Sequence, residues 1–320
     1  MTFFWLNLHA GYACRDSGMC CSSGWPIPVE RSRVEPIERL IAREAIPLRV
    51  VPWLTPEEHS PDDVAGTLGL RPNGHCVFFE AGRPGCAIHD VKPAGCVHFP
   101  YVCLIDQRGV HVTLSHFCPT AASMLFEHDA PIAIVEGPSP VPGDLEGLDA
   151  RESLPPAASG GQRLLTLDEL DQWQREAVAN ARMVELVSED LELFNQARST
   201  VPPPWSWPEA PDHLDDSWYS LVAPGWFKFE GALTRYAAAK AFASWSLYLG
   251  NGIEAATHTA RVAAAVVRIE AARQCRMYGR PLDRELITEA IRQSDLLLVH
   301  YADQSLLAAL SPAGGSMELR

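Results

Sequence analysis

HCVFFEAGRPGCAIHDVKPAGCVHFPYVCLIDQRGVHVTLSHFCP, residues 75–119, holds five of the chain's nine cysteines: Cys76, Cys86, Cys96, Cys103 and Cys118. Three more, Cys14, Cys20 and Cys21, stand upstream in YACRDSGMCC, and everything beyond residue 118 holds only Cys275. Thiolates bind soft or borderline metals; a structural zinc site takes about four N or S ligands, and a [4Fe–4S] cluster takes about four cysteines. The stretch therefore predicts a small cysteine-rich domain of short strands and turns that holds a metal site. Within it, Cys76–Glu80 and Cys86–His89 flank AGRPG, a hairpin-loop sequence. Val102–Ile105 and Val110–Leu114 flank Asp106–Gly109, a second hairpin. So little apolar periodicity builds no large core, and metal ligation is the expected staple.

Working outward, Trp25–Glu30 contains two prolines and reads as an edge strand or a loop. A helix is expected from about Glu35 to Ala45, with Pro36 in its first turn and Pro47 beyond its end. Residues 52–75 read as loop, with Thr55 capping one helical turn. Residues 129–165 shift to proline, glycine and small polar residues, the composition of a linker. Beyond them Thr166-Leu-Asp-Glu169 is a capping box, opening a helical pattern that runs to about Ala197. A proline-rich crossing with Trp205, Trp207 and Trp218 follows, its aromatics read as core packing. Three more helices are expected, about Glu230–Leu249, Ile253–Tyr278 and Asp283–Leu310, separated by Gly250-Asn-Gly252 and Gly279-Arg-Pro281. Short links favour antiparallel neighbours. The fold class is thus α+β: a cysteine-rich domain at 1–128, a linker at 129–165, and a four-helix bundle-like domain at 166–320.

The hydrophobic share of 47% and charged share of 21% are those of a globular chain. A net charge of −14 argues against nucleic acid or an anionic membrane as partner, since both select a basic face. No run approaches the roughly 18 apolar residues of a membrane span, and no Lys or Arg precedes the N-terminal apolar patch as in an export signal. The expected location is the cytoplasm, where thiols stay reduced and clustered cysteines more often mean metal or redox chemistry than disulfides. The competing reading is an exported, disulfide-stapled domain.

Spacing discriminates further. Paired C-x2-C knuckles, the strong zinc signature, are absent. The adjacent Cys20 and Cys21 point apart on an extended backbone, which favours a larger cluster or two neighbouring sites. His75, His89, His98 and His116 each sit within three residues of a cysteine and are read as hydrogen-bonded or core histidines rather than ligands. Cys103 reads as a buried strand thiol and Cys275 as a small packed helix residue.

These residues resemble the YkgJ-like cysteine-cluster family of zinc- or iron-chelating proteins, to which the flagellin lysine N-methylase is related. The family's early C-x2-C-x2-C-C corresponds to Cys14-Arg-Asp-Ser17-Gly-Met-Cys20-Cys21, with Ser17 where a second cysteine is expected. Cys76 matches its strand-opening cysteine. Cys86-Ala-Ile88-His89, Lys92-Pro93 and Cys96-Val97-His98-Phe99-Pro100 follow its next motif, with His89 for Tyr, Lys92 for Arg and Val97 for Arg. Cys118-Pro119 matches the last cysteine. The likeness covers residues 11–120. The missing thiol at Ser17 leaves a mixed candidate set of Cys14, Cys20, Cys21, Cys76, Cys86, Cys96 and Cys118, four or more binding an iron–sulfur cluster, [4Fe–4S], or zinc. The resemblance also implies a protein substrate and lysine N-methylation from S-adenosylmethionine. No G-x-G-x-x-G turn and no C-x3-C-x2-C triad accompanies it, so that activity rests on the resemblance alone. The alternative is a non-enzymatic, metal-stabilised binding or redox-sensing module.

Overall fold

The computed structural model describes residues 1–15, 17–44, 52–56, 61–79, 86–143, 145–161, 163–183, 188–203 and 205–310. Among these, eight strands form two sheets: β1 (Phe3–Leu6), β2 (Pro28–Glu30), β3 (Leu54–Thr55), β4 (Val64–Leu68), β5 (Tyr101–Asp106), β6 (Gly109–Leu114), β7 (Ile134–Glu136) and β8 (Gly147–Asp149). The larger sheet has the order β7-β1-β6-β5-β8 and the smaller β2-β4-β3. The helices are α1 (Arg31–Glu44), α2 (Ala94–His98), α3 (Pro119–Glu127), α4 (Leu167–Ala179), α5 (Asp190–Ser199), α6 (Leu214–Ser217) and α7 (Ala223–Trp226). They continue with α8 (Glu230–Ala241), α9 (Ser246–Leu249), α10 (Gly252–Tyr278), α11 (Arg284–Asp295) and α12 (Gln304–Ala309). None of the described helices is long and apolar enough to cross a membrane.

The hairpin expected around Asp106–Gly109 is β5–β6, with Asp106 paired to Gly109. β1 lies parallel to β6, and alternation sends side chains to two faces. Leu6 and Leu104 face the helices, in one apolar cluster with Phe194, Leu233, Tyr236, Val266 and Ile287. Trp5, Cys103 and Ile105 form a separate cluster with Val112 and Cys118. Sheet and helices therefore share a continuous core. The stretch read as a linker belongs to this assembly, because it supplies both edge strands, β7 and β8. Each is three residues long, too short to carry a legible period, and edges tolerate the prolines nearby.

The smaller sheet is where the front of the chain differs most from the expectation. β2 is an edge strand, as Pro28 requires, but β3 and β4 occupy residues read as loop, and Thr55 lies in β3 rather than capping a helical turn. α1 begins at Arg31, so Pro36 falls inside it rather than in its first turn. The Arg31 N–H donates to the Asp63 carbonyl at 2.8 Å, tying the helix start to the small sheet. Cys76 and Cys86 form isolated bridges with Leu70 and Phe79, and the AGRPG turn between them lies outside the described residues.

In the helical half the capping box forms as written: the Thr166 hydroxyl accepts the Glu169 N–H at 3.2 Å and the Glu169 carboxylate accepts the Thr166 N–H at 2.9 Å. The helix it opens ends at Ala179, and a separate α5 covers 190–199; residues 184–187, within the single pattern expected to reach Ala197, lie outside the described residues. The stretch read as Glu230–Leu249 breaks after Ala241, with Ala243 at φ 56°, and the last stretch contains a π-helical turn at Leu296–Tyr301. α10 keeps its expected extent, is buried on most of its surface, and packs against α5, α8, α9, α11 and α12. The arrangement is a set of shorter helices around one central helix.

Gly252 opens α10 at φ 58°, and a Cβ there would lie 2.1 Å from the Ala157 carbonyl oxygen. The turn signal read at Gly250–Gly252 thus serves a close approach between α10 and the segment leading to α4. Gly252→Ala is expected to lower stability by about 2 kcal/mol or more through its left-handed backbone and the clash. Urea unfolding checks this, with Gly11→Ala, which meets nothing within 4 Å, as the control.

Candidate metal centre

Six of the seven cysteines read as ligands line one cavity of about 80 Å³: Cys14, Cys20, Cys21, Cys76, Cys86 and Cys96. One water needs only about 10–15 Å³ of such space, so the cavity exceeds the room of a single small ion. Cys20 and Cys21 lie in a 3₁₀ turn, Met19–Ser22, entered through Gly18 at φ 68°. That turn, rather than an extended backbone, lets both adjacent residues reach the same cavity. The Cys76 N–H donates to the Cys21 carbonyl at 2.8 Å, joining the two cysteine segments directly. Cys96 rides on α2, whose first N–H, from Ala94, donates to the Glu30 carboxylate at 3.0 Å.

The sulfurs act on one another. Cys21 is hydrogen-bonded through its side chain to Cys20 and Cys86, which draws Cys20 down to about 7, lowers Cys86, and pushes Cys21 upward. Burial pushes Cys76 up to about 11 and raises Cys96 strongly. The backbone N–H of Phe78 favours the thiolate of Cys76 and that of Ile88 the thiolate of Cys86, a local influence repeated two residues along in both segments, and the Cys20 and Cys21 backbone does the same for Cys20. Lys92, also in the wall, favours the anionic form of Cys20, Cys86 and Cys96. Cys20, Cys76, Cys86 and Cys96 all lie within electrostatic reach of one another. Nine free thiols remain in the chain, with no disulfide. Among the described residues, no three Cys, His, Asp or Glu side chains are already set to hold one metal ion.

Cys118 lies apart from this wall. It precedes α3, is buried against the sheet with Cys103, and sits 3.4 Å from the Tyr12 hydroxyl. Its spacing fitted the resemblance, but it does not line the thiol cavity; it packs with Cys103 beside Tyr12. Cys14 is exposed at the cavity rim and near Tyr12 and Tyr101. Of the histidines, His116 is fully buried on Asp295, His98 bonds the Ala94 carbonyl at 3.0 Å, His75 packs edge-on to Phe79, and His89 lies at the exposed rim. Cys103 and Cys275 are buried thiols away from the cavity. Sequence reading missed Trp25 in the wall, for which no local signal exists; Lys92 stood in the motif but was not read as a charge for the thiols.

Compared with family models, curated proteins and solved structures, the chain matches none.

Proposed function

We propose that this protein binds an iron–sulfur cluster, held by Cys20, Cys76, Cys86 and Cys96, with Cys21 between Cys20 and Cys86 and Cys14 at the rim. The observation that carries the reading is the gathering of thiols from separate segments at one cavity, three of them favoured as thiolates by nearby backbone N–H groups. Four cysteines are the usual complement of a [4Fe–4S] cluster, and hydrogen bonds to its sulfurs tune its potential. The donor set fits: Phe78 and Ile88 would stabilise thiolates through their N–H groups, and Lys92 would offset their charge. The volume of the cavity favours a cluster over one zinc ion. Such a cluster supplies one-electron transfer when bound. The protein's own residues contribute the thiolates, the N–H donors and the exclusion of water by Ile27, Ile88 and Phe99.

Single serine substitutions test the assignment. Cys20→Ser and Cys96→Ser are expected to lose most bound iron, measured by elemental analysis after anaerobic purification, whereas Cys118→Ser and Cys275→Ser keep it. Iron retained in the first pair, or lost in the second, places the centre elsewhere. Stoichiometric zinc without sulfide in the wild type replaces the cluster reading by a zinc one.

A further inference from the structure

A second cavity, of about 280 Å³, lies where the larger sheet meets the helices. Its size is close to the ~300 Å³ at which small-molecule sites begin. Trp25, in the wall of the thiol cavity, stacks on His300, in the wall of this one, with ring centroids 4.2 Å apart. The two cavities therefore share a partition.

Three irregularities converge on its lining. Ala243 takes a left-handed backbone at φ 56°, where a residue with a Cβ is rarely found. Leu298–His300 belong to the π-helical turn, an irregularity that recurs at functional sites. Thr113, only 5% exposed, has a buried hydroxyl with no hydrogen-bond partner among the described residues. Burying a hydroxyl unpaired is unfavourable, and a ligand in the cavity would satisfy it.

Some polar groups of the wall are already engaged: Glu146 with His98 at 3.3 Å, the Gln304 amide with the Leu298 and Ala302 carbonyls, and His300 with the Ser115 hydroxyl; the others define what such a ligand carries. Lys240 lines the cavity with its ammonium 2.8 Å from Asp295, a carboxylate that also accepts from Tyr236 at 2.8 Å and the His116 N–H at 2.5 Å. That bond uses one of three ammonium donors, leaving two. Ser244, Ser246 and Thr259 form a hydroxyl chain at 2.7 Å steps. Thr259 gives its single proton to the Ala255 and Ala256 carbonyls, at 3.0 and 3.1 Å. Ser246 must then donate to Thr259 and Ser244 to Ser246, which leaves the Ser244 oxygen an acceptor. Donors at Lys240 and Thr113, an acceptor at Ser244 and apolar walls at Phe242 and Leu298 describe one chemistry.

We propose that this cavity binds a small organic acid, its carboxylate taken by Lys240 and the Thr113 hydroxyl, and a hydroxyl or amino group donating to Ser244. The proposal does not depend on the metal centre. Thermal unfolding of the full chain tests it, with the twenty amino acids, lactate, malate and 3-hydroxybutyrate as individual probes at millimolar concentration. At least one probe is expected to raise the midpoint by about 3 °C or more. That shift disappears in Thr113→Val, which keeps the side-chain shape, and in Ala263→Leu, which fills the cavity from α10. Absence of any shift across the panel overturns the proposal, as does a shift that survives both substitutions. Iron measured on the same samples separates the two sites: its loss with an intact shift counts against the thiol assignment alone.

Discussion

Cys86→Ser is expected to open the cysteine-rich module while leaving the central helix closed. Binding of a structural metal is folding free energy, on the order of 10 kcal/mol in small metal-dependent domains. The module has only a small apolar cluster of its own, around Val29, Ile37, Leu68, Val77, Phe78 and Ile88. Without ligation, its buried thiols and isolated bridges have little else to hold them. Hydrogen exchange should then become fast at Cys76, Val77 and Phe79, whose N–H groups bond to Cys21, Gly69 and Cys76. Amides of α10 should stay protected, because that helix is buried in the shared core. Unchanged protection throughout would show that the sulfurs are not the module's staple.

The second large effect is expected at Asp295. This fully buried carboxylate joins the sheet side, through His116, to Tyr236 and Lys240 on α8. Burial pushes its pKa upward, but Lys240 and His116 outweigh that and hold it well below the usual carboxylate range. Its stabilising contribution is therefore present above the unfolded-state carboxylate pKa and lost as pH falls through the lower folded value. At pH 7, Asp295→Ala should cost about 3–5 kcal/mol by leaving Lys240 unpaired in the interior, read by urea unfolding. A cost under about 1 kcal/mol would mean that the network stabilises little.

The neighbouring histidines add a second pH window. Burial lowers His9 and His116 below 6.5 and brings His300 down to about 4. Their unfolded counterparts take up protons first, so wild-type stability should fall as pH drops from about 6.5 toward 4. His300→Phe should flatten part of that slope. An identical slope would assign it to other groups.

The sequence made the thiol gathering legible because cysteines are few and their chemistry is narrow. Its turn language also carried far: Asp106–Gly109, the Thr166 capping box and Gly279 all do what their residue types suggest. What it hid were contacts made by short segments. β7 and β8 have three residues each, and the small sheet is built on Val64–Leu68, which carries no clear alternation. Cys118 shows the other limit, since a motif position does not say which cavity its side chain lines. The buried network at Asp295 was equally silent, because its members lie at positions 9, 116, 236, 240 and 295 and meet only after folding. The Ala243 break and the π-helical turn are tertiary effects written over helical sequence.

The most direct measurement is iron and acid-labile sulfide per chain in anaerobically purified, full-length protein. A cluster held by Cys20, Cys76, Cys86 and Cys96 predicts both in equal amounts, about four of each. Protein that carries neither iron nor sulfide, with every thiol free to react, contradicts it.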